Sequence, residues 1–97
     1  MPRAIRTEAA EQDLSEIAWY IAVHEARPTV AFKIIDEIIA KCDLHAENPL
    51  LGTPKPEFGE KYRVFSHKRW VIIFRPIHEG IEVMRIVDGS REYSRLF

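Results

Sequence analysis

Ninety-seven residues, 46% apolar and 30% charged, are expected to fold as one soluble domain (residues 1–97), too short for two cores and too apolar to stay disordered. No run nears the roughly 20 apolar residues of a membrane helix, and "MPRAIRTEAAEQ" lacks the apolar stretch of a signal peptide, so a cytoplasmic protein without membrane association is expected. The formal net charge of −1 argues against a protein that lives by gripping nucleic acid, since phosphate neutralisation needs a large positive excess.

The charge is unevenly spread: residues 1–57 carry six Lys/Arg against ten Asp/Glu, and residues 58–97 eight against five. The first part is acidic and the second basic. The single cysteine, Cys42, rules out an internal disulfide and a cysteine-rich zinc site; within "IIDEIIAKCDL" it reads as a small buried hydrophobe.

"RAIR", residues 3–6, reads as an edge strand, followed by Thr7 as an N-cap. Leu14, Ile17, Ala18, Ile21 and Ala22 then recur at helical spacing, with Glu8, Glu11, Asp13 and Glu16 near the positive end of the helix dipole, which predicts a helix over 8–25. Pro28 suits the first turn of a second helix, in which Val30, Ile34, Ile38 and Cys42 form a stripe that Ile35 and Ile39 widen. Asn48-Pro49 ends it near residue 46. With only a few residues around Arg27 between them, the helices are expected to form an antiparallel hairpin. Three prolines and two glycines make 48–59 a structured connection.

From there the period becomes strand-like. "KYRVFSH" places Tyr62, Val64 and Ser66 opposite Arg63, Phe65 and His67. "RWVIIF" is apolar on both sides, Trp70, Ile72 and Phe74 against Val71 and Ile73, as in a central strand. "GIEVMRIV" places Ile81, Val83, Arg85 and Val87 opposite Glu82, Met84 and Ile86. Short links at "HK" and "PIHEG" join the three strands as a meander. The expected fold is α+β in the order β-α-α-β-β-β: a two-helix antiparallel hairpin on one face of a small, mainly antiparallel sheet. The central strand is apolar on both faces and there is no third helix, so the second face is expected to be covered by a partner, a dimer mate or the chain's own C-terminal segment.

The chain has no phosphate-binding glycine loop and no nucleophile elbow, and no cofactor is indicated. His24, His45, His67 and His78 lie in separate elements without metal-ligand spacing. Asp36 and Glu37, adjacent on a helix, point about 100° apart and form no carboxylate pair. What stands out is a set of cations, Lys61, Arg63, Lys68, Arg69, Arg85, Arg91 and Arg95, interleaved with Tyr62, Phe65, Trp70, Tyr93 and Phe97. Metal-free RNA cleavage needs a base, a phosphorane-stabilising cation and an acid. Arginine supplies only the cation, because it stays protonated. The plain alternative is that these arginines solubilise strand edges and pair with acids.

The ordered set of a strand and helical hairpin, "AENPLLG", "KYRVF", "RWVIIFRPI" and "IEVMRIVDGSRE" resembles the ParE branch of the RelE/ParE superfamily of toxins over essentially the whole chain. The resemblance implies a type II toxin that inhibits DNA gyrase, arrests replication and is neutralised by a cognate antitoxin, ParD-like or another small DNA-binding protein. It also implies an alternative, the RelE-type ribosome-dependent cleavage of messenger RNA. By the same resemblance Arg63 matches the arginine of the first meander strand, and Arg91 the one after the last strand. Lys61 matches a nuclease lysine, but Phe97 stands where RelE-type nucleases have a tyrosine, and a phenyl ring donates no proton. Asp88 replaces a histidine common in the ParE pattern. No catalytic residue is therefore assigned. Arg63, Phe65, Trp70, Arg85, Arg91, Tyr93 and Phe97 are the expected antitoxin or target contacts, the last three on a strap across or beside the open sheet face.

Overall fold

Thr7 opens the helical hairpin in two ways at once. Its Oγ1 accepts the Ala10 amide at 3.1 Å, which caps helix α1 (Glu8–Trp19), and its hydroxyl donates to the Met84 carbonyl at 2.9 Å, which fastens that cap to the sheet. After Trp19 the helix widens for a turn, Tyr20–His24, closed by a bond from the Glu25 amide to the Tyr20 carbonyl five residues back. Pro28 begins helix α2 (Pro28–Glu47). The hairpin thus follows the expected boundaries within a residue or two. The computed structural model describes residues 1–90, so the expected contacts Arg91, Tyr93 and Phe97 lie outside the described residues.

The sheet consists of β1 (Arg3–Arg6), β2 (Thr53–Pro54), β3 (Arg63–His67), β4 (Trp70–Ile77) and β5 (Gly80–Asp88), in the spatial order β1-β5-β4-β3-β2. β1 runs parallel to β5 and the other pairs are antiparallel. The parallel pair follows from topology, because the helical hairpin carries the chain across the sheet between β1 and the meander. Gly80 makes the first β1–β5 contact possible. Its φ is +145°, and a Cβ there would stand 1.9 Å from the Arg3 carbonyl oxygen.

Ala10, Leu14, Ile17 and Ile21 of the first helical segment and Ala31, Ile34, Ile38 and Cys42 of α2 pack on Phe65, Trp70, Ile72, Phe74, Ile81, Val83 and Ile86. Each Leu, Ile, Val or Phe among them, once fully shielded, contributes about 1.5–3 kcal/mol before the entropy of ordering is counted. Burial also pushes the Cys42 thiol up to about 12, so it packs as a hydrophobe and not as a nucleophile.

Two features depart from strict expectation. Val64, Val71 and Ile73 on the second face are buried under Phe58, with Tyr62, Met84 and Val87 packed around them. The chain's own β2–β3 connection supplies Phe58 and Tyr62 as cover, a source not among those expected, while the expected C-terminal strap lies outside the described residues. The second departure is in β5. Ile73 faces Arg85 but Phe74 faces Val83, so Met84 is the extra residue of a bulge. Beyond it the alternation reverses: Ile86 joins the helix-side core and Val87 the loop side, opposite to the sides that uninterrupted alternation assigns them.

Candidate functional site

A bulge leaves backbone groups without ladder partners, and here α1 and its cap supply them. The Met84 carbonyl accepts from Thr7, as above. The Ile86 amide donates to Asp13 Oδ2 at 2.8 Å, and Arg85 donates to both oxygens of the same carboxylate, Nε to Oδ2 at 2.8 Å and Nη2 to Oδ1 at 3.0 Å. Asp13 is 7% exposed. A carboxylate so deeply placed is tolerable because a forked cation and a backbone N–H satisfy it. The hydrogen bond to Asp13 also raises Arg85 above the ordinary arginine value, which keeps it charged. Arg85 is therefore anchored inside the fold. Asp13 was legible in part, since it sits three residues after Ala10 and four before Ile17, on the apolar stripe itself.

Arg63, on the far side of β4, donates from Nη1 to the Gly52 carbonyl at 2.6 Å, tying β3 to the connection before β2. A side chain at Gly52 would strike the Phe74 ring at 2.5 Å, so the chain passes there without one. Two strand spacings, about 10 Å, separate the backbones of Arg63 and Arg85, and each guanidinium is turned to its own internal partner. Phe65 faces the helices and stacks on His45 with centroids 3.9 Å apart and planes at 8°. The His45 Nδ1–H donates to the Lys41 carbonyl at 2.8 Å. Neighbouring His67 donates from Nε2 to Glu37 Oε1 at 2.7 Å. That bond, before the nearby lysines, holds the Glu37 carboxyl below the usual range.

Trp70 leads to the place where side chains converge. It is 7% exposed, and the Arg69 guanidinium lies over its ring at 4.5 Å and over the Tyr20 ring at 5.5 Å. Tyr20 in turn stacks on His24, centroids 4.6 Å apart and planes at 11°, an alignment that the widened helical turn provides. Arg69 also approaches Asp88 at 3.4 Å and Glu25 at 3.9 Å. Beside this stack a cavity of about 320 Å³ opens between the tip of the hairpin and the β3–β4 turn, with Ile21, Ile34 and Trp70 along its floor and Arg27 and Lys68 at its rim. Tyr20, His24 and Arg27 were not among the contacts expected from sequence. Tyr20 meets Arg69, His24 stacks on Tyr20 and Arg27 lines the cavity beside them, a grouping at the hairpin tip that no local pattern announces.

Of the seven expected contact residues, Arg63, Phe65, Trp70 and Arg85 thus fall in three places: the β2 side of the sheet, the helix-side core and cavity, and the α1 clamp. They do not meet in one acid–base constellation. The four histidines occupy four separate settings, with His78 exposed on the β4–β5 turn. No helix among the described residues is long and apolar enough to cross a membrane.

Residues 4–93 match the family described as the ParE toxin of the type II toxin-antitoxin system, parDE. A chain of the chromosomal ParDE TA system from P. aeruginosa superposes with a TM-score of 0.72 at 21% identity, covering 91% of this chain and 96% of that one, a likeness of fold. No curated protein matches.

Proposed function

The chain belongs to the ParE toxin family of type II toxin-antitoxin systems, and from that premise we propose that it inhibits DNA gyrase, arrests replication in the cytoplasm and is held inactive by a cognate antitoxin. The match over residues 4–93 carries this reading. The chemistry of the described residues supports inhibition by binding over cleavage: the guanidinium groups of Arg63 and Arg85 are engaged by Gly52 and Asp13, and arginine is a poor proton shuttle. The antitoxin contacts would combine the Trp70 region with Arg91, Tyr93 and Phe97, the last three on sequence grounds. Removing residues 91–97 is expected to reduce toxicity or antitoxin binding, read by growth arrest and by pull-down. A truncated chain that keeps both would remove that segment from the interface.

Supercoiling by purified gyrase, titrated with the antitoxin-free chain, tests the target. Loss of supercoiling with accumulation of cleaved DNA is expected. Unchanged supercoiling at saturation, together with messenger cleavage on programmed ribosomes that Arg63→Ala abolishes, would move the protein to the nuclease reading.

A further inference from the structure

The cavity at the hairpin tip has an apolar floor and an unbalanced rim. Ile21 and Ile34 are buried, and with Trp70 they form a floor that offers no hydrogen-bonding group apart from the Trp70 indole N–H. Four charged side chains surround it: Glu25, Arg27, Lys68 and Arg69. Glu25 and Arg69 stand within 3.9 Å of each other and offset in charge, and Arg69 has Asp88 as well. Arg27 and Lys68 are both exposed and make no ion pair within 4.0 Å among the described residues, although Lys68 stands near enough to Glu37 to help hold its carboxyl down. With Asp88 counted beside Arg69, the charged side chains at the mouth are three cations against two carboxylates, a local positive excess on a chain whose net charge is −1.

That combination selects among occupants. A single-stranded nucleic acid needs open aromatic faces on which bases stack, but the Trp70 ring carries Arg69 and the Tyr20 ring is taken by Arg69 and His24. A volume of about 320 Å³ lies at the small end of the roughly 300–1,000 Å³ of ligand pockets, room for one or two apolar side chains. Arg69, held between two rings and two carboxylates, forms a wall already in place before anything docks, which lowers the ordering cost of association.

We propose that this cavity receives an apolar side chain of a partner polypeptide whose flanking residues are acidic, the carboxylates meeting Arg27 and Lys68. The inference rests on the reading that an antitoxin neutralises the chain, and it names the kind of segment the antitoxin presents here. The apolar anchor supplies most of the affinity, and the charges set register and the rate of encounter.

The test uses the full chain carrying Trp19→Phe, an exposed position, which leaves Trp70 as the sole tryptophan. The probe is a blocked synthetic peptide with one leucine between paired aspartates. Its comparators are the same peptide with lysines for the aspartates and a thymidine oligonucleotide of equal negative charge. Saturable change of Trp70 emission with the acidic peptide only, weakening with salt, is expected. R27E combined with K68E should lower the affinity at least about tenfold while leaving the thermal midpoint in place, since both side chains are exposed. No binding by about 1 mM peptide, the weak limit of a specific contact, overturns the proposal. So does binding indifferent to the double reversal, and so does preferential binding of the oligonucleotide. A parallel supercoiling assay separates the two readings. If gyrase is inhibited and the antitoxin binds the R27E/K68E chain undiminished, the cavity assignment falls and the function stands; if the peptide binds as expected but gyrase is untouched, the reverse holds.

Discussion

Ile72 and Ile73 are neighbours on β4 and both are fully shielded from solvent, yet different parts of the chain shield them. Ile72 lies under two helices that bring a regular stripe of Ala, Leu and Ile down onto the sheet. Ile73 lies under a loop that brings Phe58 and Tyr62, two aromatic rings set among prolines and glycines. A helix covers a sheet with many small contributions at fixed spacing, and a loop does so with one or two large side chains whose positions depend on turns. The helix side is therefore built from redundant contacts, and the loop side hinges on single residues.

The comparison is broken most forcefully from the helix side. Phe74→Ala should cost about 4 kcal/mol in denaturant unfolding, because the ring is wholly enclosed, with His45 of α2 and Phe65 of β3 against it and Gly52 close to its edge. Asp13→Ala should cost about 2–3 kcal/mol, since it strands the buried Ile86 amide and the Arg85 guanidinium together. Asp13→Asn, which keeps an acceptor for Ile86, should lose less. Phe58→Ala should cost about 2 kcal/mol, the loop relaxing into part of the space left. A loss equal to that of Phe74→Ala would mean that the loop is as integral to the fold as the helices. The smallest effect is a pH dependence of the tie between α2 and β3. Glu37 titrates below its ordinary 4.5 chiefly because His67 donates to it. The stability this pair contributes is thus present above the unfolded carboxylate value and is lost as pH falls through the lower folded one. An acid shoulder below about pH 4.5 should appear in thermal melts and vanish in Glu37→Gln.

The same contrast governs how much the amino-acid sequence disclosed. The element order, the hairpin and the central place of β4 follow from periodicity, and the Thr7 cap and Pro28 start from single residues of known preference. The cover over Val71 and Ile73 was not legible, because Phe58 and Tyr62 share no spacing with the strands they cover. Nor was the bulge at Met84, since "GIEVMRIV" alternates as well without it and only the bonds from Thr7 and Asp13 fix its position. For the candidate site, the arginines and Trp70 were identifiable as residues but not by their partners. Asp13 lies 72 positions from Arg85 in the chain. Arg69 meets Tyr20 at the first residue of the widened turn, 49 positions away in the chain. Long-range polar pairing leaves no periodic trace, whereas burial does.

Growth of cells in which the chain is induced alone, compared with cells that also express the reading frame adjoining its own, tests the central claim most directly. Arrest of growth and of DNA synthesis by the chain alone, relieved when the adjoining product is made and co-purifies with it, is the predicted result. Undisturbed growth and DNA synthesis in cells that accumulate the folded chain alone would contradict a toxin of this family.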